Sequence, residues 1–197
     1  MPTDKTRPTL LLKVKNQRDA KSWAEFVSIY SPLVYSYARK RGLQDADAAD
    51  LTQEVMVIAA EKLGGFHYDS ARGSFRGWLL TVTLNRLRRS GNPRVSVGAG
   101  TGRSSMHESL MQQPLKEEFD EWDQEAARQA FQWAAKQIRA EFQPHTWQAF
   151  WKTAVEQESP DAVAKELNIS TGMVYVAKSR IVARLREKVD YILREGE

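Results

Sequence analysis

The chain has 197 residues, 42% of them hydrophobic and 27% charged, with six Trp, no Cys and a formal net charge of +4. That is enough apolar material for one large core or two small ones, and it excludes disulfides, cysteine-ligated zinc and a thiol switch within the chain. No apolar run approaches the ~20 residues of a bilayer span, and the opening MPTDKTRPTLLLKVK lacks a signal-peptide layout, so a cytoplasmic protein without membrane contact is expected.

In chain order, residues 1–17 read as an N-terminal tail. Residues 18–89 read as a helical domain. Trp23, Phe26, Val27, Tyr30, Val34, Tyr37 and Ala38 recur at three- and four-residue steps, with Pro32 marking a kink or a break. A second helix is expected from about Asp47 to Leu63, with Leu51, Val55, Ile58, Ala59 and Leu63 inward. Asp45, Asp47 and Asp50 crowd its N-terminal end, where the macrodipole favours anions. Gly64-Gly65 stops it, and a polar loop runs from Phe66 to Gly73. Ser74 then caps a third helix through Arg89, with Phe75, Trp78, Leu79, Val82 and Leu87 available for packing.

Charge is distributed unevenly. Residues 1–90 hold 15 Lys/Arg against 9 Asp/Glu, whereas residues 116–158 hold 5 against 9. Between Asp69 and Glu108 there is no acid, and seven arginines occur (Arg72, Arg76, Arg86, Arg88, Arg89, Arg94 and Arg103). An acid-free arginine interval is a footprint for phosphate; a solvated basic surface is the alternative. The mixture of aromatics and arginines in HYDSARGSFRGWLLTVTLNRLRR suits single-stranded DNA, where bases stack on rings and guanidinium groups hold the backbone.

Residues 90–115 are rich in Gly, Ser and Pro without a sustained period, and read as a flexible linker. A second helical domain is expected over 116–197, with Trp122, Phe131, Trp133, Phe142, Trp147, Phe150 and Trp151 in its core. Within it, Ser159–Leu185 reads as helix, tight turn and helix. Ser159 is an N-cap and Pro160 the first helical residue; Asn168-Ile169-Ser170 breaks the helix, and Ser170 caps the next. The second of these helices is basic outside, carrying Lys178, Arg180, Arg184, Arg186 and Lys188. This arrangement inserts a helix into the DNA major groove. The fold class is thus all-α, two small helical domains joined by a flexible linker, the second with a helix–turn–helix.

DADAADLTQEVMVIAAEKL followed by GSFRGWLLTVTLNRLRR resembles the core of the sigma-70 family, specifically the two-domain extracytoplasmic-function type. STGMVYVAKSRIVARLR resembles that family's promoter-reading fourth domain, and the wording around TWQAFW resembles the sigma factors of planctomycete-type bacteria. The resemblance implies a non-enzymatic promoter-specificity subunit that binds core RNA polymerase, through the β′ clamp helices and the β subunit, recognises −35 and −10 elements and promotes strand opening. It implies no cofactor and no metal, and it leaves room for an anti-sigma partner. By that resemblance Asp50, Gln53, Glu54 and Val55 bind polymerase. His67, Tyr68, Arg72, Ser74, Arg76, Trp78, Asn85, Arg86 and Arg89 belong to the −10 contact, although Trp78 is equally suited to a core position behind the loop. Ser170, Thr171, Gly172, Tyr175, Val176, Ser179 and Arg180 belong to the −35 contact, with Arg180 placed to bond guanine or to hold backbone. Lys178, Arg184 and Arg186 are expected on DNA backbone or polymerase. Met173, Tyr175 and Val176 depart from the family's commoner G-T-V-K-S-R wording.

Two other classes fit the sequence less completely. An independent helix–turn–helix repressor or activator would give no role to DLTQEV or the arginine-rich helix. A recombinase or nuclease would need a catalytic constellation, and the three His (67, 107, 145) are scattered while no P-loop or HExxH is present.

Overall fold

A computed structural model describes residues 10–16, 18–64, 74–90 and 114–193, and among these every regular element is helical. The helices are α1 Leu10–Val14, α2 Ala20–Lys40, α3 Asp45–Leu63, α4 Phe75–Arg89, α5 Lys116–Ile138, α6 Pro144–Ala154, α7 Pro160–Glu166 and α8 Thr171–Leu193, with a short 3-10 turn at Arg139–Glu141. None is long and apolar enough to cross a membrane. The chain divides into two compact units inside α5: one holds the residues up to Gln129 together with Leu193, and the other runs Ala130–Ile192. The expected linker, 90–115, lies outside the described residues except at its ends.

In the first unit, Asp19 caps α2 by accepting from the Ser22 amide at 3.1 Å and the Ser22 hydroxyl at 2.7 Å. The buried stripe of α2 includes Phe26, Ile29, Tyr30, Leu33, Val34 and Tyr37. α2 continues through Pro32, so the expected break does not occur. The ring is exposed, and the buried side chains on both flanking turns hold the helix across the missing N–H. Phe26, Tyr30 and Phe75 form the centre of this core, with Phe75 set edge-on to Tyr30 at 5.3 Å and to Phe26 at 5.8 Å. α3 buries Leu51, Val55, Ala59 and Leu63 as its period predicts, and α4 buries Phe75, Leu79, Leu80, Leu84 and Leu87.

Two features depart from the sequence reading. Residues 10–14, expected in a tail, form α1, whose Leu10, Leu11 and Val14 are buried. The early turns of α5 pack onto the first unit: Trp122, expected in the core of the second domain, is fully buried edge-on to Tyr37 at 5.1 Å. Gly77 on α4 gives this segment a close seat, since a Cβ there would meet the Phe119 ring at 3.4 Å. Glu118 closes the start of α5 by accepting from the Leu115 amide at 2.9 Å.

Glu125 is the polar anchor of this packing. Its fully buried carboxylate accepts from Arg128 Nη2 at 2.6 Å and Gln129 Nε2 at 2.8 Å, and pairs with Lys40 Nζ at 2.5 Å. Gln129 reaches on to Ser36 Oγ at 2.9 Å. Burial alone would raise the Glu125 pKa, but hydrogen bonds from Arg128, Lys40 and Gln129 prevail and hold it down at about 2.

The second unit has two core clusters. Ala134, Ala135, Ile138, Trp147, Phe150, Ile181 and Leu185 form one, with Phe131, Trp133, Phe142 and Trp151 partly buried around it. Ala149, Val163, Ala164, Val174 and Ala177 form the other, beneath the α7–α8 turn. Ser159 caps α7 by accepting from the Ala162 amide at 3.2 Å. Asn168 then takes a left-handed φ of 51°. The Ile169 amide donates to Ala164 O at 3.0 Å and the Asn168 amide to Lys165 O at 3.3 Å, a Schellman closure with Ile169 folded onto the core. Ser170 begins α8 by accepting from the Met173 amide at 3.2 Å.

These contacts carry two predictions. Because the folded pKa of Glu125 is depressed, its contribution is complete above the ordinary value of 4.5 and fades as pH falls toward about 2. Glu125→Gln should lower stability at pH 7 by about 1–3 kcal/mol and flatten the acid limb below pH 4.5 in urea titrations; an unchanged acid limb would remove Glu125 as its source. Asn168→Ala should cost about 1–2 kcal/mol because of the left-handed backbone, whereas Asn168→Gly should be nearly neutral in thermal melts.

Candidate nucleic-acid and polymerase interfaces

One exposed face of α3 carries Asp50, Gln53 and Glu54, which lie within a single turn as their spacing requires. Val55 does not join them. It is completely buried, so it fastens α3 to the core and is corrected from the contact set on that ground. Val57 and Glu61 extend the face by another turn and were missed by the sequence reading. Val57 is 57% exposed, and its position three residues after Glu54 and four after Gln53 was the available signal. Asp50, Gln53, Glu54, Val57, Glu61 and Arg86 line a shallow groove of about 580 Å³.

Arg86 enters that groove from α4 and pairs with Glu54, Nη1 to Oε2 at 3.2 Å. A neighbouring groove of about 610 Å³ is lined by Asp47, Asp50, Glu54, Arg86 and Arg89, among others. The residues expected to bind polymerase and two of the arginines expected to bind DNA therefore adjoin on one surface.

The remaining α4 candidates separate. The Ser74 hydroxyl accepts from the Gly77 amide at 3.1 Å and so acts as the helix cap. Trp78 is half-buried against Phe75, with centroids 5.5 Å apart, which leaves part of the indole at the surface. Arg76 is half-buried and Arg89 exposed. Asn85 is only 8% exposed and its Oδ1 has no hydrogen-bond partner among the described residues, so the expectation of an exposed DNA contact is corrected: α4 turns this side chain inward. His67, Tyr68 and Arg72 lie outside the described residues.

In the second unit, α8 sends Val174, Ala177 and Ile181 into the core and Tyr175, Val176, Ser179 and Arg180 outward. The Ser170 hydroxyl is engaged as a cap, and Thr171 Oγ1 donates to Asp161 Oδ1 at 3.0 Å, tying α8 to α7. Gly172 is open: a Cβ there would meet only Ser170 Oγ, at 3.8 Å. Met173 joins the outward set, which the sequence reading noted as a departure in wording without counting it among the contacts. Arg184 is already engaged, by Glu141 through Nε at 2.7 Å and Nη2 at 3.0 Å, and by Glu187 at 2.7 Å. The hydrogen bonds that it donates to Glu141 and Glu187 raise its pKa well above the ordinary arginine value. Arg184 is therefore first a brace between α8 and the 3-10 turn.

Residues 26–90, spanning α2 to α4 and the groove containing Glu54 and Arg86, match the family described as sigma-70 region 2. The chain contains a sigma-70 region 2. Its region 2 supplies both the exposed acidic face of α3 and the arginines of α4. No curated protein matches the sequence. Among solved structures, the chain is similar to CnrH in complex with the cytosolic domain of CnrY, at 19% identity over 92% of this chain and 95% of that one, with a TM-score of 0.35.

The pair joining the two faces of region 2 can be measured. A double-mutant cycle of Glu54→Gln and Arg86→Gln should give a coupling of about 0.2–1 kcal/mol in folding stability that shrinks as salt is added, because both side chains are partly exposed. A salt-independent coupling would exclude a solvent-screened pair.

Proposed function

We propose that this chain is an extracytoplasmic-function type sigma factor, one that binds core RNA polymerase, recognises −35 and −10 promoter elements and promotes opening of the −10 duplex without being an enzyme itself. The observation that carries the reading is the region 2 match over residues 26–90, within which Asp50, Gln53 and Glu54 stand exposed together. In this reading the α3 face meets polymerase, and Arg76, Trp78, Arg86 and Arg89 meet −10 DNA. α8 enters the major groove at −35, with the outward Tyr175, Val176, Ser179 and Arg180 toward the bases. The protein works in the cytoplasm beside polymerase, and an anti-sigma factor would silence it by covering either face. An independent helix–turn–helix regulator accounts for α7 and α8 but leaves the region 2 match without a role.

The test is in vitro transcription with the purified chain and bacterial core polymerase, followed by start-site mapping. Initiation at defined sites that requires the chain is expected; strong specific binding to duplex DNA by the chain alone, with no effect on core polymerase, would favour the regulator. Replacing Asp50 and Gln53 together by Ala should weaken core binding by about tenfold, equivalent to ~1.4 kcal/mol. Both side chains are exposed, so the melting temperature should stay put. Unaltered core affinity would remove this face from the interface.

A further inference from the structure

α8 opens with a surface that does not suit water. Met173, Tyr175 and Val176 are 50, 58 and 48% exposed, all within its first two turns. They cannot turn inward to hide, because Val174, Ala177 and Ile181 on the adjoining face are locked in the core and fix the rotation of the helix. Met173, Val176 and Arg180 follow one another at three- and four-residue steps and so share a single face, two aliphatic side chains followed by a guanidinium. No acidic residue occurs from Thr171 to Arg186. Arg180, which follows the apolar pair on that face, forms no ion pair among the described residues.

An apolar stripe bordered by a cation is complementary to a polyanion that displays apolar groups between its charges. The DNA major groove has one such group, the C5-methyl of thymine; its other base edges are hydrogen-bond donors and acceptors, which Met and Val cannot satisfy. Resting on the reading that α8 enters the −35 duplex, we propose that Met173 and Val176 read thymine methyl groups there. Arg180, farther along the same face, holds the adjoining phosphate or guanine. Discrimination at those positions then comes from burying methyl against aliphatic surface. This also gives a role to Met173, which a hydrogen-bonding scheme leaves idle.

Deoxyuridine isolates the effect, because it lacks only the methyl group and keeps every hydrogen bond of thymine. Using the holoenzyme of full chain and core polymerase on a promoter defined by start-site mapping, each thymine of the −35 element, on either strand, is replaced singly by deoxyuridine. One or two replacements should weaken promoter binding about three- to fivefold, the size of one buried methyl, and the others should be silent. Val176→Ala and Met173→Ala should each abolish the sensitivity at one position, while Val176→Ile retains it. Transcription that is intact but indifferent to every replacement would overturn this inference alone. So would sensitivity that persists in both alanine variants, or alanine variants that bind all the DNAs as wild type does but lose contact with a protein partner. Absence of promoter-directed initiation would overturn the sigma-factor reading, and this inference with it.

Discussion

Phe26, Tyr30, Val55 and Phe75 join α2, α3 and α4, and the usable surface of the first unit depends on how that packing sets the rotation of each helix. With Val55 buried, Asp50, Gln53 and Glu54 have no choice but to face outward. A polar patch on a helix held in this way loses little conformational freedom when a partner arrives, which favours binding without adding a contact. The same constraint acts in the second unit, where Val174, Ala177 and Ile181 dictate that Met173, Val176 and Arg180 point away. In both places the exposed surface is defined by what its helix buries.

The ion pairs divide by burial into two kinds. Glu125 is fully buried and is met by Lys40, Arg128 and Gln129, so removing any one partner leaves a carboxylate that water does not reach. This network holds the early turns of α5 on α2. Glu54 and Arg86 are partly exposed, and their attraction is screened and modest. Such a pair orients both side chains yet yields readily. A cation approaching Glu54 competes with Arg86, and a phosphate approaching Arg86 competes with Glu54, so either event frees the other member.

What was legible in the sequence is what short-range chemistry decides. Ser74, Ser159 and Ser170 announced helix starts because a capping hydroxyl needs only its own next turn. Asn168 marked the α7–α8 turn because few side chains accept a left-handed backbone. Features decided by distant partners were not legible. Nothing local distinguishes a tail from α1, whose Leu10, Leu11 and Val14 are buried. Trp122 looked like core, which it is, but its place against Tyr37 depends on a helix some eighty residues earlier. Asn85 follows from the same limit, since a polar residue in an arginine-rich helix reads as surface until the packing of α4 fixes its phase.

The cations of α8 also show why counting charge overstates what a surface offers. Five basic residues from Lys178 to Lys188 suggest a uniform grip on phosphate, yet Arg184 is held by Glu141 and Glu187. Drawing it away to a phosphate would break a bidentate contact whose loss the new contact must first offset. In the proposed reading, attraction to a polyanion therefore falls to Arg180, on the face of Met173 and Val176, and to Lys178 and Arg186 elsewhere on the helix. Phosphate contacts position a helix without telling one base pair from another. In the proposed −35 reading, discrimination between base pairs therefore falls to the side chains that the core packing of α8 leaves outward, Met173 and Val176 among them.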